Sequence, residues 1–260
     1  MNAGRVRVGI SRCLLGDPVR YDGGHKLNRH LAEVLARSVE WVPVCPEVEA
    51  GLGTPREPMR LSGTSSQPRL VTIATERDLT MPVNDFSSRK VEELRALGLS
   101  GYVFKARSPS CGVEKVPLYD RHGKARPIGV GLFARRFRRR FPLIPVTDES
   151  RLANPGSRKH FLALVFGYHR WQALVSGGVT RRAIARFHEA ESALLKTRSR
   201  PHFLMLSRLV SRASRYRPGE LAARYAKTFM EALAVPPLTT KQAHALHRAR
   251  NLRIRKARPQ

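Results

Sequence analysis

Cysteine is scarce in this 260-residue chain: three residues, an odd number, at positions 13, 45 and 111. That disfavours a framework of paired disulfides, and the chain is too long to be a small secreted domain that needs staples. By themselves, three such thiols read as small buried hydrophobes. No apolar run reaches the roughly 18 residues of a membrane span, which excludes a spanning helix. The short apolar stretch after the basic start breaks at Ser11-Arg12, unlike a signal peptide, so a cytoplasmic protein without membrane contact is expected. Clear internal repeats are absent. Acidic residues are few, 20 against 48 Lys and Arg, for a net charge of +28, yet a hydrophobic fraction of 42% excludes a disordered polycation.

The charge is uneven. Residues 1–150 hold 25 basic and 16 acidic side chains, whereas residues 151–260 hold 23 and 4. Such a field attracts polyanions and anionic substrates. Arg far outnumbers Lys even where no role is evident, so a solvated basic surface accounts for the same numbers.

The first half alternates strand and helix patterns. Strands are expected at Val6 to Ile10, Trp41 to Val44, Leu70 to Ala74 and Gly101 to Lys105. One helical face carries Leu27, Leu31, Val34 and Leu35. A second helix, capped by Asp85 and stopped at Gly98, turns Val91, Leu94 and Leu97 inward. This order argues for an α/β fold with a mostly parallel sheet and flanking helices. From residue 151 only helical periods remain, giving a smaller all-α domain over 151–260 after an α/β domain over 1–150. Its helices carry Phe161, Val165 and Trp171; then Ile184, Phe187 and Leu195 behind a Thr180 cap; then His202 to Val210; then Leu221, Tyr225, Phe229 and Leu233 behind Pro218. A basic tail follows Pro237.

Each cysteine closely follows a predicted strand, in a loop rich in Gly, Pro or Ser. In parallel α/β sheets ligands bind outside the carboxyl ends of strands, so three such loops can converge on one site. The first loop, CLLGDPVRYDGGHK, adds Asp17, Arg20, Tyr21, Asp22 and Lys26 to Cys13. The second, CPEVEAGLGTPREP, places Glu47 two residues past Cys45. The third, KARSPSCG, sets Ser108 and two cations beside Cys111. Each alone reads equally well as an ordinary polar turn.

Together, and with GVGLFARRF at residues 129–137, these segments are similar in order and spacing to the signatures of the bacterial thiouracil desulfurase (desulfidase) family. The resemblance covers residues 1–150. It implies a [4Fe-4S] cluster held by Cys13, Cys45 and Cys111 with one iron open. It further implies Glu47 as the acid/base carboxylate, Ser108 as the substrate-orienting or proton-relaying hydroxyl, and Arg20, Tyr21, Asp22 and Lys26 around the substrate, with Arg20 and Asp22 expected mainly to brace the loop. The implied reaction converts a thiolated pyrimidine such as thiouracil to uracil and hydrogen sulfide. Thiolates are the usual ligands of iron–sulfur clusters, and an open position makes a metal a Lewis-acid site. Arg12 departs from the pattern, where a small residue is usual.

Residues 151–235 resemble a YbgA-like helical domain, truncated or divergent: Phe187-His188-Glu189-Ala190-Glu191-Ser192 lacks the second His and the Lys of that family's motif. A lone His188 is therefore expected to be structural. An alternative function is an RNA-binding protein that edits or senses thiolated nucleotides, with the basic helical half holding RNA.

Overall fold

The computed structural model describes residues 5–236, so the tail after Pro237 lies outside the described residues. The described residues fall into two compact units that divide between residues 172 and 173.

The first unit is built on two sheets. Strands β1 (Arg7–Ser11), β2 (Glu40–Val44), β5 (Gly101–Phe104) and β8 (Val146–Asp148) form a fully parallel sheet in the order β2-β1-β5-β8. Strands β3 (Met59–Gly63), β4 (Pro68–Thr72), β6 (Val116–Tyr119) and β7 (Ala125–Gly129) form a mixed sheet in the order β4-β3-β6-β7. The expected α/β class and mostly parallel sheet are therefore present, with a second sheet in addition.

Period-2 alternation explains the burial of the parallel sheet on both faces. Tyr102 and Phe104 point to one side, into an aromatic cluster with Phe86 of α1 (Thr80–Ala96) and with Phe133 and Phe137 of α2 (Leu132–Arg140). Val8, Ile10 and Val103 point to the other, against Leu31, Leu35 and the Phe161 and Val165 of α4 (Pro155–Ser176). Gly9 is required where β1 meets β5: a Cβ there would lie 2.2 Å from the Tyr102 ring. The mixed sheet buries Leu61, Leu70, Val116 and Leu118 against Leu79, Val83 and Leu132.

Two expected helices differ. The segment near Leu27 to Leu35 is a pair of short turns, His30–Val34 and Leu35–Arg37; Leu31 and Leu35 are buried, but Leu27 and Val34 face solvent. Helix α1 starts at Thr80 rather than at Asp85, which sits exposed inside it. Asp78 accepts the Thr80 N–H at 2.9 Å, and Pro82 falls in the first turn, where its missing N–H costs nothing. Leu97 is exposed, while Gly98 ends the helix in a left-handed conformation as expected.

After β8 a single turn, α3 (Glu149–Leu152), precedes α4. In the second unit α5 (Arg181–Arg198), α6 (Arg200–Ser211) and α7 (Pro218–Ala234) pack against one another. Thr180 caps α5 by accepting the Ala183 N–H at 3.0 Å, as its position in the sequence suggests. Ile184, Leu195, Leu206, Leu221, Tyr225 and Phe229 form the interior.

Candidate active site

Strands β1, β2 and β5 all run toward the same sheet edge and end in the three cysteine loops. β1 leads outward to β2 on one side, while β5 lies on its other side, so the strand order reverses at β1. A crevice at such a reversal is the expected ligand site of an open α/β sheet. A cavity of about 440 Å³ lies there, and Cys13, Cys45 and Cys111 all line it.

The first loop turns immediately after Ser11. Leu14 is fully buried and anchors a short 3-10 turn, Arg12–Leu15, that Gly16 closes at φ 104°. The chain then returns: the Lys26 N–H donates to the Cys13 carbonyl at 2.9 Å, and Asn28 N–H to that of Leu14 at 2.9 Å. Arg20, Tyr21 and Lys26 are thereby set around the cavity. Asp22 is not; its carboxylate takes the Gly24 N–H at 3.0 Å and the Arg20 guanidinium at 3.4 Å, bracing the loop. Arg12 lines the cavity and is paired with Asp17 at 2.5 Å.

In the second loop the Cys45 N–H donates to Glu49 Oε1 at 2.8 Å, and Lys90 Nζ holds Glu49 Oε2 at 3.0 Å. Glu49 is therefore structural. Glu47 lines the cavity and pairs with Arg56, whose Nε donates to Glu47 Oε2 at 3.1 Å and whose Nη2 makes a closer contact with the same oxygen. Arg56 also donates to the carbonyls of Val19 at 3.1 Å and Gly53 at 2.8 Å, and its own N–H to that of Tyr21 at 2.8 Å. One guanidinium thus joins the first two cysteine loops and fixes the carboxylate between them. Its side chain is 7% exposed and that of Glu47 13%.

The third loop is a capped turn. Ser108 Oγ accepts the N–H of Cys111 at 3.1 Å and of Ser110 at 3.3 Å, while the Gly112 N–H closes onto the Ser108 carbonyl at 2.8 Å. A Cβ at Gly112 would come within 2.8 Å of that carbonyl, so the turn needs glycine. With its acceptor side occupied, the Ser108 hydroxyl keeps its proton for the cavity that it lines. Lys105 is tied down by Glu149 just past β8, and Ser11 Oγ accepts the Lys105 N–H at 2.8 Å.

All three thiols are free. Burial pushes Cys13 up to about 11, with the neighbouring Cys45 adding to the shift. Burial likewise raises Cys45, and raises Cys111 well above the ordinary thiol range despite a hydrogen bond from Ser11. Each cysteine feels the others or the shared carboxylate Glu47. Without a metal, such groups are poor nucleophiles at neutral pH; a bound cation is what makes them thiolates. Among the described residues no three His, Cys, Asp or Glu converge tightly enough to hold one metal ion. A zinc-like centre draws its sulfurs to about 2.3 Å from a single atom. Three soft thiols lining one cavity that has no histidine in its lining are a donor set that suits an iron–sulfur cluster.

The fold and the site define an α/β protein with a three-thiol centre at a switch point. The sequence matches the 2-thiouracil desulfurase family over residues 8–149, and the chain belongs to that family. It is 28% identical over 108 residues to the uncharacterized protein YbbK of Bacillus subtilis (strain 168), covering 40% of this chain and 71% of YbbK. Among solved structures, the [4Fe-4S]-dependent thiouracil desulfidase TudS is 30% identical and matches 57% of this chain and 94% of its own, with a TM-score of 0.48.

Arg56, Ser11 and Glu149 were not singled out from sequence. Arg56 is followed directly by Glu57, yet its partner Glu47 lies nine residues back, so only the fold shows which acid it takes. No helix among the described residues is long and apolar enough to cross a membrane.

Proposed function

We propose that the chain is a [4Fe-4S]-dependent desulfurase that hydrolyses a thiolated pyrimidine base to the oxo base and hydrogen sulfide. The observation that carries this reading is the meeting of Cys13, Cys45 and Cys111 with Glu47 and Ser108 on one cavity at the switch point of a family member. When bound, a cluster held by the three cysteines supplies a Lewis-acidic iron with an open position for a thiocarbonyl sulfur.

Arg56 occupies Glu47 Oε2, which leaves Oε1 of this cavity-lining carboxylate without a hydrogen bond from the described residues. Glu47 takes a proton from the water that attacks the thiocarbonyl carbon, and returns one to the departing sulfur. The Ser108 hydroxyl donates to the substrate from the opposite loop. Tyr21 and Arg20, stacked with the guanidinium 5.3 Å from the ring centroid, bound the mouth together with Lys26. Asp22 acts through Arg20. Residues 1–150 form the desulfurase domain on this reading, and the helices that follow residue 150 a divergent YbgA-like domain in which His188 is structural.

Anaerobic purification followed by iron and sulfide counting tests the proposal. We expect four of each per chain in the wild type and loss of the cluster in Cys111→Ser. A Cys111→Ser chain that retains the full count would overturn the ligand assignment.

A further inference from the structure

Helix α2 carries charge for which the desulfuration cavity has no use. Its buried face, Leu132, Phe133 and Phe137, anchors it in the core. Two of its arginines are committed: Arg135 donates to the carbonyls of Ser65 and Ser66 at 2.6 and 2.7 Å, and Arg140 pairs with Glu92 at 2.6 Å. Arg136, Arg138 and Arg139 are exposed and have no hydrogen-bond or ion-pair partner among the described residues. Glu92, the carboxylate that feels Arg136, is already engaged by Arg140 and Arg95. Three unneutralised guanidiniums within about one turn repel one another, a cost that an anionic ligand removes.

The surroundings indicate which anion. On one flank of α2 a polar cleft of about 340 Å³ sets Asn84 and Ser88 of α1 opposite Arg136 and Arg139. On the other, a cleft of about 630 Å³ is lined by Arg138 and by the apolar Ile128, Phe141, Pro142 and Ile144. Arg135 and Arg139 border both. A small anion would use the polar cleft alone. Guanidiniums repeating along a helix, with an apolar and aromatic cleft beside them, suit a phosphodiester chain whose bases need cover.

We propose that this face is a docking surface for single-stranded nucleic acid, with phosphates on Arg136, Arg138 and Arg139 and a base in the cleft beside Phe141. It is separate from the cysteine cavity, and it stands or falls independently of the desulfuration reading.

The test is the salt dependence of binding of a fluorescent single-stranded RNA about twelve nucleotides long to the full chain. Each phosphate contact on a single strand contributes about 0.7 to the slope of log affinity against log salt. Replacing Arg136, Arg138 and Arg139 by Ala is therefore expected to flatten the slope by about two. The corresponding triple Lys variant keeps it. A charge-matched control, Arg182, Arg186 and Arg208 to Ala in the second unit, flattens it less. The three α2 arginines make no contact that the fold needs, so the thermal midpoint should hold; single substitutions read the same effect at about 0.7 each. An unchanged slope in the α2 variant, an equal loss in the control, or a Lys variant as weak as the Ala variant overturns the proposal. So does tripolyphosphate displacing the RNA as well as unlabelled RNA does, which would mark a small-anion site.

Discussion

The Glu47–Arg56 pair makes the sharpest physical prediction. Both side chains are largely out of water, and Arg56 holds two carbonyls of neighbouring loops besides its carboxylate. Removing one partner of a buried pair leaves an uncompensated charge and costs about 3–5 kcal/mol. Arg56→Met should therefore destabilise the metal-free protein by about that amount, including about 1 kcal/mol for each lost carbonyl bond. Glu47→Gln strands the guanidinium but keeps those carbonyl bonds, so its cost is smaller. The double variant buries no lone charge, and its loss should fall short of the sum by about 1–3 kcal/mol. Urea unfolding under reducing conditions measures all four corners of the cycle. Trp41 and Trp171 are the chain's two tryptophans and both lie in the first unit, so their fluorescence reports the relevant transition. A coupling below about 0.5 kcal/mol would refute the view that this pair fixes the carboxylate.

Further outcomes follow from the same geometry. Glu47→Gln in the cluster-loaded enzyme should cut turnover about 10²–10⁴-fold with iron content unchanged, which single-turnover kinetics would show; normal turnover removes Glu47 as the catalytic carboxylate. Gly9→Ala drives a methyl into the Tyr102 ring and should cost about 1–3 kcal/mol in urea unfolding, and a neutral result would contradict the close approach of β1 and β5. His188 contacts Tyr225 Oη at 3.1 Å and Ser207 Oγ at 2.9 Å and stacks on Phe203; burial, then Lys196, lowers its pKa below the ordinary 6.5. The unfolded chain then takes up the proton first, so this contribution to stability is complete above the ordinary histidine range and declines as pH falls below about 6.5. Thermal unfolding across that range should show a smaller acid-side loss in His188→Gln than in the wild type, and parallel curves would exclude the effect.

The cysteine loops were legible because each combines a thiol with turn residues just after a strongly apolar strand, so their convergence follows from the topology of parallel sheets. Of the mixed sheet only β4 was legible, at Leu70 to Ala74. β7, Ala-Arg-Pro-Ile-Gly, is exposed over its first four residues and carries a proline, as an edge strand can. β8 is only three residues long, too short for a period. Helix α2 was hidden by its run of arginines, although Phe133 and Phe137 stand at helical spacing. Asp22 shares a motif with Tyr21 and Lys26 and was grouped with them around the substrate, with bracing as its main expected role; its short side chain takes the nearest donors, Gly24 N–H and Arg20, and does not line the cavity. The partner of Glu47 could not be read because Arg56 has acids on both sides in sequence, and the loop path alone decides between them.

If these three thiols and this carboxylate make one hydrolytic desulfuration site, the anaerobically reconstituted protein turns over 2-thiouracil in the absence of any reductant. Uracil and sulfide should then be released in equal amounts over many turnovers, with activity lost in Cys13→Ser, Cys45→Ser and Cys111→Ser alike. Full activity in any one of those variants, or no sulfide from a protein carrying its full complement of iron, would contradict it.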